Sequence, residues 1–199
     1  MTDASPAPRW PGSVALVLAS STGGVGQHVR SIAGGLTEAG ASVLVCGPAA
    51  TEEQFGFTGV GARFTPVEIP ASPTPGDARA VTALRRALAV TPVDVVHAHG
   101  LRAGLVAALA RPTAPLVVTW HNAVLAKGLR GAASRLVERI VARSVRVALG
   151  ASADLVDRAA ALGAADARRP SPTLSEKLTE STDLSILVIR RHLRLPEST

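Results

Sequence analysis

A chain of 199 residues, 47% of them hydrophobic, is long enough for one domain with a full core and too apolar to read as disordered. Cys46 is the single cysteine, which excludes an internal disulfide and a thiolate zinc cluster, and no stretch reaches the roughly 20 apolar residues of a membrane span. The formal charge of +6 reflects either an arginine-rich composition or an anionic partner. Nucleic acid is disfavoured as that partner, because the basic residues are not interleaved with stacking aromatics and tyrosine is absent.

Residues 1–12 are polar and proline-rich, read as a flexible N-terminus, and lack the apolar run of a secretory signal. The expected compartment is therefore the cytoplasm, with peripheral contact at the inner face of the plasma membrane. Val14–Ala19 reads as a buried strand. Val29, Ile32, Ala33 and Leu36 then recur at helical spacing, and Gly40 stops that helix after Ala39. Ser42–Cys46 is the next strand, Thr51–Gly61 a loop, Phe64–Ile69 a third strand and Pro70–Gly76 a proline-rich loop. A helix over Ala78–Ala89 aligns Val81, Leu84 and Leu88 on one face.

Val93–Ala98 is a β-branched strand. It is followed by a short helix over Ala103–Ala110, a strand at Leu116–Thr119 and a helix over Ala132–Arg143. A strand at Arg146–Leu149 and a helix over Ala153–Leu162 complete the series. This alternation predicts an α/β fold: a Rossmann-like parallel sheet with helices on both faces, spanning residues 13–169. From Pro170 the rhythm breaks. Residues 170–199 read as a tail of uncertain order, in which Ser185–Ile189 has strand character and Leu193–Leu195 continues an apolar patch.

In an open parallel sheet, ligands sit beyond the carboxyl ends of the strands. Three features fall at such ends: the turn Ser20–His28, the run His97-Ala98-His99-Gly100, and Trp120-His121-Asn122. The turn carries Gly23, Gly24 and Gly26 between a strand and a helix. Glycines admit close backbone approach and the helix N-terminus favours an anion, so this turn is a candidate phosphate or sugar site. It is not a dinucleotide fingerprint, because Val29 stands where a third small residue is wanted and Cys46-Gly47-Pro48 supplies no acid for a ribose. Nor is it a P-loop, since Gln27 follows Gly26.

His28, at the helix start, either points to the cleft or covers the first turn. His97 reads as a packed core residue, His99 and His121 as candidate cleft residues. His97 and His99 are taken to face opposite sides of the sheet and so not to share a metal. A serine-hydrolase elbow is absent. Arg135, Arg139 and Arg143 recur every four residues, one stripe on a helix, with Leu136, Val137, Ile140 and Val141 as its apolar side. That stripe is either a solvated face or a dock for anionic lipid.

Four segments in this order resemble the N-terminal domain of family 4 glycosyltransferases, which have the GT-B fold. They are Gly23-Gly24-Val25-Gly26-Gln27-His28-Val29, Asp94-Val95-Val96-His97-Ala98-His99-Gly100, Val118-Thr119-Trp120-His121-Asn122 and Ala148-Leu149-Gly150-Ala151-Ser152. The resemblance implies a retaining transferase that moves a hexosyl group from a nucleotide-sugar donor to an acceptor. In it this domain holds the acceptor, Gly23, Gly24, Gly26, His28, His121 and Asn122 line the acceptor or phosphate site, and His99 lies at the reacting centre. The resemblance also implies no bound metal and no cofactor beyond the donor substrate.

Family members carry a second domain that binds the nucleotide and holds two glutamates separated by seven residues, and this chain has no such spacing. It reads as about half of an enzyme followed by an unrelated tail: a truncated or frameshifted product, or one piece of a split enzyme. The donor domain would come from another chain or a longer version of the same one. The competing readings are a non-catalytic module that binds a phosphate or sugar phosphate, and a membrane-docking subunit acting through the arginine stripe.

Overall fold

The computed structural model describes residues 12–72, 76–121 and 128–169, without the side chains at 128–131 and 133. Seven strands form one sheet in the order β3-β2-β1-β4-β5-β6-β7. They are β1 (Ser13–Leu18), β2 (Ser42–Gly47), β3 (Arg63–Pro66), β4 (Val95–His99), β5 (Leu116–Trp120), β6 (Val147–Gly150) and β7 (Ala167–Arg168), and every pairing is parallel. The helices are α1 (Gly24–Glu38), α2 (Ala49–Phe55), α3 (Asp77–Val90), α4 (Gly100–Ala110), α5 (Gly128–Ser144) and α6 (Ala153–Ala161).

The central strands β1, β4 and β5 are buried almost along their whole length because both faces are covered, and apart from Ser13, His97, His99 and Thr119 their residues are apolar. On one face, Ala15, Val17, Val96, Ala98, Val118 and Trp120 pack with Leu84 of α3, Val106 of α4, Val141 of α5 and Leu155 of α6. On the other, Val14, Leu16, Leu18, Val95 and Val117 form a core with Val29, Ile32 and Leu36 of α1 and with Phe55 and Phe57. Trp120 is the largest fully buried side chain. The N-terminal ends of β1 and β4 are clamped by Asp94, whose carboxylate accepts from the Ser13 amide at 2.7 Å and the Ser13 hydroxyl at 2.8 Å.

The strand and helix alternation matches the expected fold, with four local differences. The segment expected as a loop after Cys46 contains α2 and a 3-10 turn at Thr58–Val60. Seven residues are too few to show a helical period. What fixes them is Glu52, whose carboxylate accepts from the amides of Phe57 and Thr58 and from the Thr58 hydroxyl, across the left-handed Gly56. The helix α1 starts at Gly24, inside the glycine turn and not after it. Strand β3 ends at Pro66, although Val67 and Ile69 beyond it remain fully buried. The two-residue β7 was not anticipated. The calls on residues 1–11 and on 170–199 lie outside the described residues.

Candidate functional site

Three strand ends meet at one cavity of about 250 Å³. It is lined by Ser20 and Ser21 after β1, Val25 in the first turn of α1, His99 at the end of β4, Arg102 in α4 and His121 directly after β5. The topology produces this juxtaposition: β1, β4 and β5 are adjacent and parallel, with Leu18 opposite His99 and His99 opposite Thr119. Gly100 makes the turn from β4 into α4 with φ of +84°, a left-handed conformation that a side chain disfavours. That turn leaves His99 at the base of the cavity and brings Arg102 to its rim.

His97 and His99 share one face, contrary to the sequence expectation. Their ring centroids are 4.1 Å apart, as the two-residue period of a strand requires. His97 is fully buried and joined to Thr119 Oγ1 by a hydrogen bond of 2.8 Å through Nε2. It is therefore a core histidine that backs the ring of His99. His28 points inward from α1: its ring lies 5.6 Å from those of both His99 and His121, which are 5.9 Å from each other. Four imidazoles from three elements thus form one cluster.

The cluster is kept neutral. Burial pulls His97 down to about 3, helped by the neighbouring His28 and His121, and pulls His121 down to about 4, with His28 adding to the effect. Burial also holds His99 well below its ordinary value, as do the three surrounding imidazoles, and burial lowers His28. Among the described residues, no carboxylate lines the cavity to oppose these shifts. Among the described residues, no group of three or more His, Cys, Asp or Glu side chains is placed to hold a metal ion.

Several buried polar atoms at the cavity lack a hydrogen-bond partner: both ring nitrogens of His99, Nε2 of His121 and Nη1 of Arg102. Natural interiors rarely leave such atoms unmatched except where a ligand, an ion or water meets them. Arg102 was not singled out in the sequence. It is tied in place by Pro70 O at 3.2 Å from Nε and by Asp77 Oδ1 at 2.7 Å from Nη2. The signal was only an arginine three residues after a strand-end histidine, which has no meaning until Gly100 turns the chain.

The glycines divide. A side chain on Gly23 or Gly24 would meet nothing within 4 Å, and both are exposed at the N-terminus of α1. Gly26 is buried, a Cβ there would fall inside the ring of Phe55, and its amide donates to Gly23 O at 3.1 Å. Packing against Phe55 at the end of α2 requires that glycine. Asn122 lies outside the described residues. Arg135, Arg139 and Arg143 are all exposed on α5, and none of them lines the cavity. Leu136 is 59% exposed beside them and does not join the apolar side expected for it. Val137, Ile140 and Val141 form that side as expected, with Ala142. No described helix is long and apolar enough to cross a membrane.

Solved structures share this fold at low identity. HepE from Anabaena, in complex with UDP-glucose, aligns with a TM-score of 0.57 at 17% identity, over 92% of this chain and 50% of that one. A glycosyltransferase from Rickettsia africae aligns with a TM-score of 0.57 at 12% identity, over 71% and 37%. A protein described as a putative UDP-N-acetylglucosamine 2-epimerase from Listeria monocytogenes aligns with a TM-score of 0.53 at 11% identity, over 76% and 43%. The chain thus spans half or less of the length of these structures. No curated protein matches its sequence. A family model described as glycosyl transferase 4-like domain matches residues 23–171, about three quarters of the sequence, and the chain belongs to that family.

Proposed function

We propose that this chain is the acceptor-side domain of a glycosyltransferase, which transfers a hexosyl group from a nucleotide sugar once a donor domain is supplied. The observation that carries the proposal is the cavity at the ends of β1, β4 and β5. There His99, 2% exposed, lines the cavity with His121 and Arg102, and neither of its ring nitrogens has a hydrogen-bond partner. A hydroxyl-rich substrate offers both donors and acceptors to neutral imidazoles, and low pKa values keep those rings neutral at physiological pH. The uncapped N-terminus of α1 adds partial positive charge beside the departing diphosphate. The family supports transfer, and HepE, which shares the fold and is bound to UDP-glucose, supports a uridine nucleotide donor. The epimerase among those structures is a reminder that the fold alone does not select the reaction.

In this reading His99 is the catalytic residue, His28, His121 and Asn122 line the acceptor side with Gly23 and Gly24, and Gly26 contributes packing. Arg135, Arg139 and Arg143 with Leu136 form a surface that suits anionic lipid, so that a lipid-borne acceptor is presented from a membrane.

The test joins Met1–Thr199 to a donor domain, in one chain or two, and follows release of UDP from UDP-hexoses. The joined enzyme is expected to turn over, and His99→Ala to lower kcat by about 100-fold or more, the scale of losing one group that acts on the transition state. The isolated chain is expected to show little transfer. Robust turnover by that chain overturns the two-domain reading, and an unchanged kcat in His99→Ala removes the residue from catalysis. A non-catalytic phosphate module, which would use the same cavity, is favoured instead by tight phosphate binding with no transfer in any joined form.

A further inference from the structure

The strand-end cavity holds about 250 Å³, below the roughly 300–1,000 Å³ of ordinary small-molecule sites. A second cavity, of about 520 Å³, adjoins it at Ser20, which lines both. Pro66, Pro70, Ala80 and Ala83 give the second cavity an apolar lining, and Glu68 and Arg79 add one charge of each sign. The wall between the two is fastened. Ala71 lines the first cavity and Pro70 the second. Ile69 O accepts from the Ser20 amide at 2.9 Å and from the Ser20 hydroxyl at 3.2 Å, and Pro70 O accepts from Arg102 Nε at 3.2 Å. Arg102 also pairs with Asp77 in the first turn of α3 at 2.7 Å. The arginine thus ties the wall to α3 and α4, and both chambers stand before a ligand arrives.

We propose that the second cavity extends the acceptor site and receives a second, neutral sugar ring, so that the acceptor is a disaccharide or a longer glycoside. The inference rests on the acceptor-domain reading for the first ring, whose hydroxyl reacts beside His99.

Charge decides the chemistry of the second ring. Glu68 Oε1 accepts from the Ala49 amide at 3.0 Å, and Oε2 has no partner among the described residues. Arg79 makes no hydrogen bond or ion pair among them, so the two charges line one cavity without pairing with each other. An anionic group there meets Glu68, and a cationic one meets Arg79. A wholly apolar group covers both charges and satisfies neither. A sugar ring suits all three surfaces. Its hydroxyls donate to the carboxylate and accept from the guanidinium, in charge-assisted bonds, while its C–H faces lie against proline and alanine.

Saturation-transfer NMR titrations on the full chain test this with neutral probes: glucose, galactose and N-acetylglucosamine, each against a disaccharide that contains it, namely maltose, lactose and diacetylchitobiose. At least one disaccharide is expected to bind about tenfold or more tighter than its own monosaccharide, the scale of one or two hydrogen bonds to charged groups. The backbone amide signals of Arg79 and Ala80 should shift with that disaccharide and not with the monosaccharide. Ala83→Phe fills the second cavity and should remove the advantage. Arg79→Ala, at an exposed position that the fold does not need, should reduce it about threefold or more and carries the test if the phenylalanine variant unfolds.

Disaccharides that bind no better than their monosaccharides, or an advantage that survives both substitutions, overturn the second chamber and leave the acceptor-domain reading standing. An advantage that both substitutions remove, in a chain that supports no transfer when joined to a donor domain, keeps the chamber and sinks the transfer reading.

Discussion

Two of the places where the described residues bury polar groups treat them differently. Between α5 and α6, Glu138 is fully buried, and both of its oxygens accept from Arg158, at 3.0 Å from Nε and 2.8 Å from Nη2. At the ends of β4 and β5, the buried His99 and the half-buried His121 and Arg102 keep unpartnered nitrogens. A bidentate pair satisfies its own needs and fixes one helix on another. A cluster with open valences carries a free-energy cost that only a ligand, an ion or water relieves. The contrast separates a fastening from a site without reference to any relative.

The contrast breaks most visibly at Arg158. Arg158→Met strands a carboxylate with no exposure, and is expected to cost about 3–5 kcal/mol in denaturant unfolding. Adding Glu138→Leu should recover most of that loss, because an apolar pair of similar volume removes the desolvation problem. A single substitution that costs under about 1 kcal/mol would show that Glu138 finds water or another donor, and the two regions would then not differ as described.

The glycine turn sharpens the same distinction at a smaller scale. Gly26→Ala places a methyl group against the Phe55 ring and is expected to cost about 1–3 kcal/mol through overpacking. Gly24→Ala meets nothing and is expected to change stability by no more than about 0.5 kcal/mol. If Gly24 serves a ligand, its alanine variant loses phosphate affinity with the fold intact. If both variants behave alike in unfolding, packing does not divide the turn.

The sequence carried the order of strands and helices well, because β-branched runs and the 3.6-residue period are local signals. Leu84 and Val106 declare themselves by spacing and apolarity. The site was half legible. His99 and His121 stand at strand ends where a parallel sheet places ligands, so topology pointed to them before any coordinates. Arg102 was not legible, since its approach depends on the left-handed Gly100 and on the Asp77 tether 25 residues away. The same holds for Gly26, whose reason is Phe55 on another helix. Glu138 is the single acid between Lys127 and Arg146, and only the packing of α6 reveals its partner. The orientation of His97 was misjudged despite a local rule, the alternation along a strand, that should have placed it beside His99.

A small effect at neutral pH, and the most diagnostic in shape, belongs to His121→Leu. The folded chain holds His121 at about 4 while an unfolded chain titrates near 6.5. Above pH 6.5 both states leave the ring neutral and the group contributes no pH dependence. As pH falls from 6.5 toward 4, the unfolded state takes the proton first, so stability drops by about 1.4 kcal/mol per pH unit on account of this ring. Leucine has no proton to take. His121→Leu should therefore shift stability by less than about 1 kcal/mol at pH 7.5, in the stabilising direction if the unpartnered Nε2 carries a cost. It should also lose that part of the acid slope. Thermal or urea unfolding at half-unit steps from pH 7.5 to 4.5 reads both quantities from one series. A variant with the parental acid slope would mean that His121 is protonated in the folded chain already, and that the cluster has found its counter-charge without a ligand.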